Sequence, residues 1–140
     1  MPKKAVIMLS GLIVIVLIGW LVYTNLYNKP HREIAAEEAV VFLQAPELFN
    51  AYTSNEARAD SLYLNKVLQV QGAVENILHN EQGAITLVLE GTDLFGISCE
   101  LAESEKQKAA QIKIGNTVIL KGLCNGMLMD VVLAKCVLIE

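Results

Sequence analysis

Between Ala5 and Tyr23 the chain carries no charged residue, and this apolar run constrains it more than any other feature. As a helix the run extends ~28 Å at about 1.5 Å per residue, close to the thickness of a hydrocarbon core. Ser10 can bond back into its own helix at little cost. Trp20 and Tyr23 stand at the far end, where amphipathic rings favour a membrane interface. A cleaved secretion signal is the competing reading. It fits less well, because the run exceeds the usual apolar region of a signal and no small-x-small cleavage site follows. Nor does a cysteine lie nearby to accept a lipid. The expected organisation is a cytoplasmic tail over 1–4, a transmembrane anchor over 5–23 and a linker over 24–32 marked by Asn25, Asn28 and Pro30. Lys3 and Lys4 on one flank balance Lys29 and Arg32 on the other, so the short leading segment and its free amine set the N-terminus inside. The chain is then expected to be a single-pass protein of the bacterial cell membrane, with its C-terminal domain extracytoplasmic.

From Glu33 onward, 108 residues remain, enough for one modest domain. They hold seven Lys and Arg against fifteen Asp and Glu, a formal charge of −8. Such a domain repels phosphate backbones and acidic membrane surfaces. It suits protein partners, cations or basic peptides, although an acidic surface is more often only a solubility device.

The spacing predicts a helical lead-in over 33–62. Ala35, Ala39, Phe42 and Leu43 fall on one side of a helix over Glu33–Gln44, and Glu33, Glu37 and Glu38 on the other. Pro46 opens a second short helix, Glu47–Tyr52, and Ser54 and Asn55 cap a third, Glu56–Leu62. A barrel is expected over 63–140, where the period changes to two. Leu68, Val70, Gly72 and Val74 alternate with their neighbours in a first strand, Lys66–Leu78. His79–Gly83 turns into a second strand, Ala84–Glu90. Gly91-Thr92-Asp93 turns into a third, Leu94–Leu101, with Phe95, Ile97, Cys99 and Leu101 on its core face. Helix formers occupy Glu103–Ile112 and Gly115 stops them. Strands four, Thr117–Leu123, and five, Asp130–Ile139, flank Asn125-Gly126, a strong tight-turn signal. Three strands, a helix and two strands is the element order of an OB-fold, a five-stranded Greek-key barrel whose end the helix plugs. An open α+β roll is the runner-up. The fold class is thus mainly β with helices, behind an N-terminal transmembrane helix.

Two stretches carry a family resemblance. One is Asn55-Glu56-Ala57…Tyr63…Val70-x-Gly72-x-Val74. The other is Gly115-x-x-Val118-x-Leu120-x-Gly122-x-Cys124-x-Gly126…Asp130-Val131-Val132-Leu133-x-x-Cys136. Both resemble the tRNA_anti-like family, small bacterial OB-fold proteins that are exported or membrane-anchored. The resemblance spans Glu33 to the C-terminus and rests on glycines and core positions. It implies the fold, and it brings neither tRNA binding nor enzymatic residues with it.

The residues themselves point to no enzyme and no cofactor. His31 lies in the linker and His79 in a turn, with no partner at a recognisable spacing; no nucleophile motif or phosphate loop occurs. Glu37 and Glu38 are adjacent, so on a helix they do not face each other. An OB-fold reader of single strands needs a basic groove and stacking rings. Phe95 is the only aromatic residue in the five predicted strands, and Lys66, Lys121 and Lys135 are their only cations, which argues against nucleic acid. Asp130 opens strand five at the barrel mouth and, with Asp93 and Asn125, makes a candidate ligand loop. Cys99, Cys124 and Cys136 lack metal or redox spacing. A Cys124–Cys136 bridge would span several residues of ladder at about 3.3 Å each, beyond the roughly 7 Å that a disulfide allows between Cα atoms. Strands three and five adjoin in an OB barrel, so Cys99–Cys136 is the candidate disulfide, against buried free thiols. The expected function is a non-enzymatic, membrane-tethered OB module that binds an envelope protein, peptide or small ligand, or serves a structural role there. The alternative is a nucleic-acid-binding OB domain at the cytoplasmic face.

Overall fold

A computed structural model of the chain describes residues 2–27, 33–92 and 94–139 and, inside the first helix, the side chains of residues 10–24. The chain divides into two compact units, Met1–Arg32 and Glu33–Glu140. In the first, helix α1 (Lys3–Tyr27) takes in the apolar run and continues past Tyr23 into the expected linker. Residues 10–23 are exposed on every side of it. Among the described residues no helix is long and apolar enough to cross a membrane. The part of α1 with described side chains would extend only ~22 Å. The remainder of the linker, including Pro30, His31 and Arg32, lies outside the described residues.

The second unit is built on one long strand. Strand β2 (Val67–His79) bends at an irregularity between Val74 and Asn76 and so serves two neighbours. Its first half pairs antiparallel with β5 (Thr117–Met127), and its second half with β3 (Ile85–Leu89). β3 continues to β4 (Ile97–Leu101), and β4 pairs in parallel with β6 (Val131–Ile139), which returns to β5. The ring β2-β3-β4-β6-β5 closes, since β5 pairs with both β6 and β2. Closure removes the exposed edges that an open sheet would carry. The order agrees with an OB-fold and sets aside the open roll. Alternation does what the pattern requires: Leu68, Val70, Leu87, Leu89, Ile97, Leu120 and Leu133 fill the interior.

The lead-in departs from expectation at its start. Residues 34–36 form a turn, and Val41–Gln44 form a strand, β1, parallel to β2 with Leu43 opposite Val70. β3 covers β2 only from Val74 on, so the other half of that edge is open to β1. Val40, Val41 and Phe42 suit the extended backbone better than a helix. Ile34 is buried, and Lys121 Nζ donates to the carbonyls of Ala35 (2.9 Å) and Glu37 (2.7 Å), pinning the turn to β5.

Helices α2 (Ala45–Ser54) and α3 (Glu56–Tyr63) match the reading. Pro46 lies in the first turn of α2, and Asn55 caps α3 by accepting from Arg58 N at 3.0 Å. Ala45, Leu48, Phe49 and Tyr52 share one face of α2 and enter the core, worth roughly 1.5–3 kcal/mol for each large side chain. α2 starts against Gly72, where a Cβ would come 2.6 Å from Ala45 Cβ. The expected plug over Glu103–Ile112 is smaller: a 3-10 turn, Glu103–Glu105, and one turn of helix, α4 (Lys106–Ala109). It is tied down by the buried Glu105, whose Oε2 accepts from Leu138 N at 3.1 Å.

The Asn125-Gly126 turn is also corrected. β5 runs through both residues to Met127, and the pair forms an irregularity in its ladder with β6. Gly126 takes φ +87°, whereas Asn125 keeps an ordinary φ, so the two do not make the expected turn. The chain reverses instead at Leu128–Asp130, with Leu128 N donating to Asp130 O at 3.0 Å.

Candidate functional site

Beyond its bend, β2 turns Asn76 and Leu78 outward, away from the barrel interior. Lateral register then sets Asn76, Val88, Ser98 and Val132 in one outer row, and Leu78, Thr86 and Glu100 in the next. Two loops stand at the edge of this face. Gly96 N donates to Asp130 Oδ1 at 3.0 Å and Val131 N to Gly96 O at 3.1 Å, so the loop before β4 and the turn before β6 are held together. Thr92 N closes the first loop by donating to Phe95 O at 2.7 Å. Between face and loops lies a groove of about 360 Å³, with Leu78, Val88, Leu94 and Phe95 as apolar walls and Glu75 and Asp130 as carboxylates. Its loops expose what a solitary domain would bury: Leu94 is 83% exposed, Leu128 89% and Met129 69%.

The sequence reading placed only part of this site. Asp130 lines the groove. Asn125 is exposed on the β5 irregularity and does not line it, and Asp93 lies outside the described residues. The strand pattern places Phe95 on a core face, but β4 begins only at Ile97 and the ring is 40% exposed. The strand stops short because Gly96 spends its N–H and carbonyl on Asp130 and Val131. The sequence pattern does not single out Leu94, Leu128 or Met129; the apolar pair Leu128-Met129 between two strand patterns is the available signal.

Among the described residues, no Lys or Arg lines the groove. Several of the domain's cations close the structure elsewhere. Lys66 Nζ donates to Leu62 O at 2.7 Å at the end of α3, and Lys121 pins the lead-in turn. Lys106 pairs with Glu103 at 2.9 Å, and Lys108 with Glu105 at 3.7 Å. A larger depression of about 600 Å³ lies beside α4, bordered by Ile112, Val118 and Leu138, and has no carboxylate or aromatic ring in its lining. The smaller groove therefore concentrates the chemistry.

The cysteines lie inside the barrel. Cys99, Cys124 and Cys136 are free and buried, so the expected Cys99–Cys136 bridge is not formed. Register places Cys99 opposite Leu133 and Cys136 opposite Leu101, with an irregularity between. Burial and the neighbouring Cys136 thiol push the Cys99 thiol up from 9.0. Burial also raises Cys124, although its contact with Tyr52 Oη at 3.3 Å works the other way. Protonated buried thiols are poor nucleophiles. Among the described residues no group of three or more His, Cys, Asp or Glu is arranged to hold a metal ion.

Comparison with curated proteins finds no match. Among solved structures, the chain is similar to a lipoprotein from Klebsiella pneumoniae subsp. pneumoniae that is provisionally called nucleic acid-binding. The two share 15% identity with a TM-score of 0.58, over 80% of this chain and 100% of the other, a likeness of fold alone. The tRNA_anti-like family matches residues 1–138, essentially the whole chain, and the protein belongs to that family.

Proposed function

We propose that this protein is a non-enzymatic, membrane-tethered OB module that binds a protein partner in the bacterial envelope through the groove between β2, β3 and the loop before β4. The groove carries the reading: exposed Leu94 and Phe95 line it with Glu75 and Asp130, no Lys or Arg is among its described lining residues, and Leu128 and Met129 are exposed in the turn that leads to Asp130. Exposed apolar loops on a small domain mark an interaction surface. Tethering rests on the charge-free run Ala5–Tyr23, which lies within a single helix and is apolar on all sides. The lipoprotein character of the Klebsiella neighbour is consistent with an envelope setting.

That neighbour's provisional name favours a second reading, an OB domain for single-stranded nucleic acid. The cations speak against it: Lys66, Lys106, Lys108 and Lys121 are engaged at α3, α4 and the lead-in turn, and no Lys or Arg is among the described residues lining the groove. A photoreactive amino acid at Leu128 in intact cells separates the two. An adduct with an envelope protein is expected. An adduct with RNA, or binding of single-stranded RNA at low salt that weakens steeply as salt rises, overturns the proposal.

A further inference from the structure

We infer that the groove's partner presents a cationic side chain flanked by apolar ones, an inference that rests on the protein-binding reading above. The face is an apolar floor with a one-sided charge. Leu78 and Val88 form the floor, Phe95 a ring at one wall, and Glu75 and Asp130 the carboxylates. Glu100 extends the negative charge along the same outer face, opposite Thr86 in the β3–β4 ladder. Among the described residues, no Lys or Arg lines the groove to neutralise them. A guanidinium or ammonium entering here gains the ring face and the carboxylates together, and desolvation between apolar walls strengthens both. The volume, about 360 Å³, lies at the small end of binding pockets, so it admits one or two side chains from a segment rather than a bulky ligand. Leu94, Leu128 and Met129 then supply apolar contact for the residues on either side. An acidic peptide, a phosphate backbone or an anionic headgroup meets like charge in the same place.

The test uses the full-length protein in detergent micelles and fluorescein-labelled synthetic peptides of roughly 12 residues, read by anisotropy at about 150 mM salt. An Arg/Leu peptide is expected to bind at least about tenfold more tightly than Glu/Leu or Arg/Ser counterparts. Glu75→Gln with Glu100→Gln, and separately Leu94→Ser with Met129→Ser, are expected to weaken it about fivefold or more. Glu38→Gln with Glu56→Gln makes the same change in net charge on exposed residues away from the groove. That control pair is expected to stay within about twofold; an equal loss would show bulk charge at work and overturn the inference. Indifference to peptide charge also overturns it. Labelled oligouridylate displaced by the groove variants would overturn both this inference and the protein-binding reading. An envelope adduct at Leu128 without peptide discrimination would leave that reading standing and remove only this one. A solvatochromic dye at Leu128 that shifts blue on transfer to phosphatidylcholine–phosphatidylglycerol nanodiscs, with no peptide present, would assign the face to lipid and overturn the inference.

Discussion

At the residue scale, two packed positions carry consequences that can be measured. A Cβ on Gly122 would come 2.5 Å from Cys136 Sγ and 3.2 Å from Leu133 Cβ. Gly122→Ala should therefore destabilise the domain by about 1–3 kcal/mol in denaturant unfolding. Adding Cys136→Ala should recover part of that loss, because the sulfur is the atom in the way; no recovery would place the strain in the backbone. The second position is Tyr52, fully buried with its hydroxyl against Cys124. Burial, then the Cys124 thiol, then Asp60 push its ionisation well above the ordinary 10.0. Thiols and phenols are neutral when protonated, so a raised folded value means the unfolded chain gives up its protons first as pH rises. Stability from these groups is complete below pH 9.0 and falls above it, first through Cys99 and Cys124 and, past pH 10.0, through Tyr52. Unfolding free energies measured from neutral to alkaline pH should show this decline. Tyr52→Phe should make it shallower above pH 10.0 while lowering neutral-pH stability by about 0.5–1.5 kcal/mol.

At the element scale, β3 and β4 were legible because alternation in a half-buried strand leaves a mark in every second residue. The caps of α2 and α3 were legible for a similar reason: Pro46 and Asn55 act locally, on backbone groups within one turn. β1 was not. Glu33–Gln44 satisfies a helical period, yet Val41–Gln44 is claimed by a backbone ladder with β2, a partner some two dozen residues away. Lys121 completes that arrangement from further off, holding the carbonyls of Ala35 and Glu37. Lys121→Met should therefore free the turn at residues 34–36 while leaving the barrel intact. Hydrogen exchange is expected to accelerate at the amides of Ala36 and Glu37 and to stay unchanged across β3 and β4; faster exchange spread evenly over the domain would show that the lysine acts globally.

At the scale of the whole molecule, the apolar core among the described residues runs from Leu43 to Cys136, within the second unit. A fragment covering 33–140 should accordingly unfold at a midpoint within a few degrees of the full chain, about the shift expected from less than 1 kcal/mol. A much lower midpoint would mean that residues before Glu33 contribute to the fold. The sequence by itself determined the apolar run, the acidic balance and the order of elements that suggests the barrel, since composition, charge and periodicity are local properties that survive in a linear reading; closure through the β2–β5 pairing was decided by the tertiary structure. Only the tertiary structure decided that β1 joins the sheet, that Cys99 and Cys136 are neighbours with free thiols, and that Asn125-Gly126 lies within a strand. It also decided where the site is. Leu94, Phe95, Leu128 and Met129 come from loops far apart in the chain. Their two loops are held together because Gly96 is bonded to Asp130 and Val131 across the parallel β4–β6 junction. That juxtaposition follows from barrel closure and has no counterpart in any single stretch of sequence.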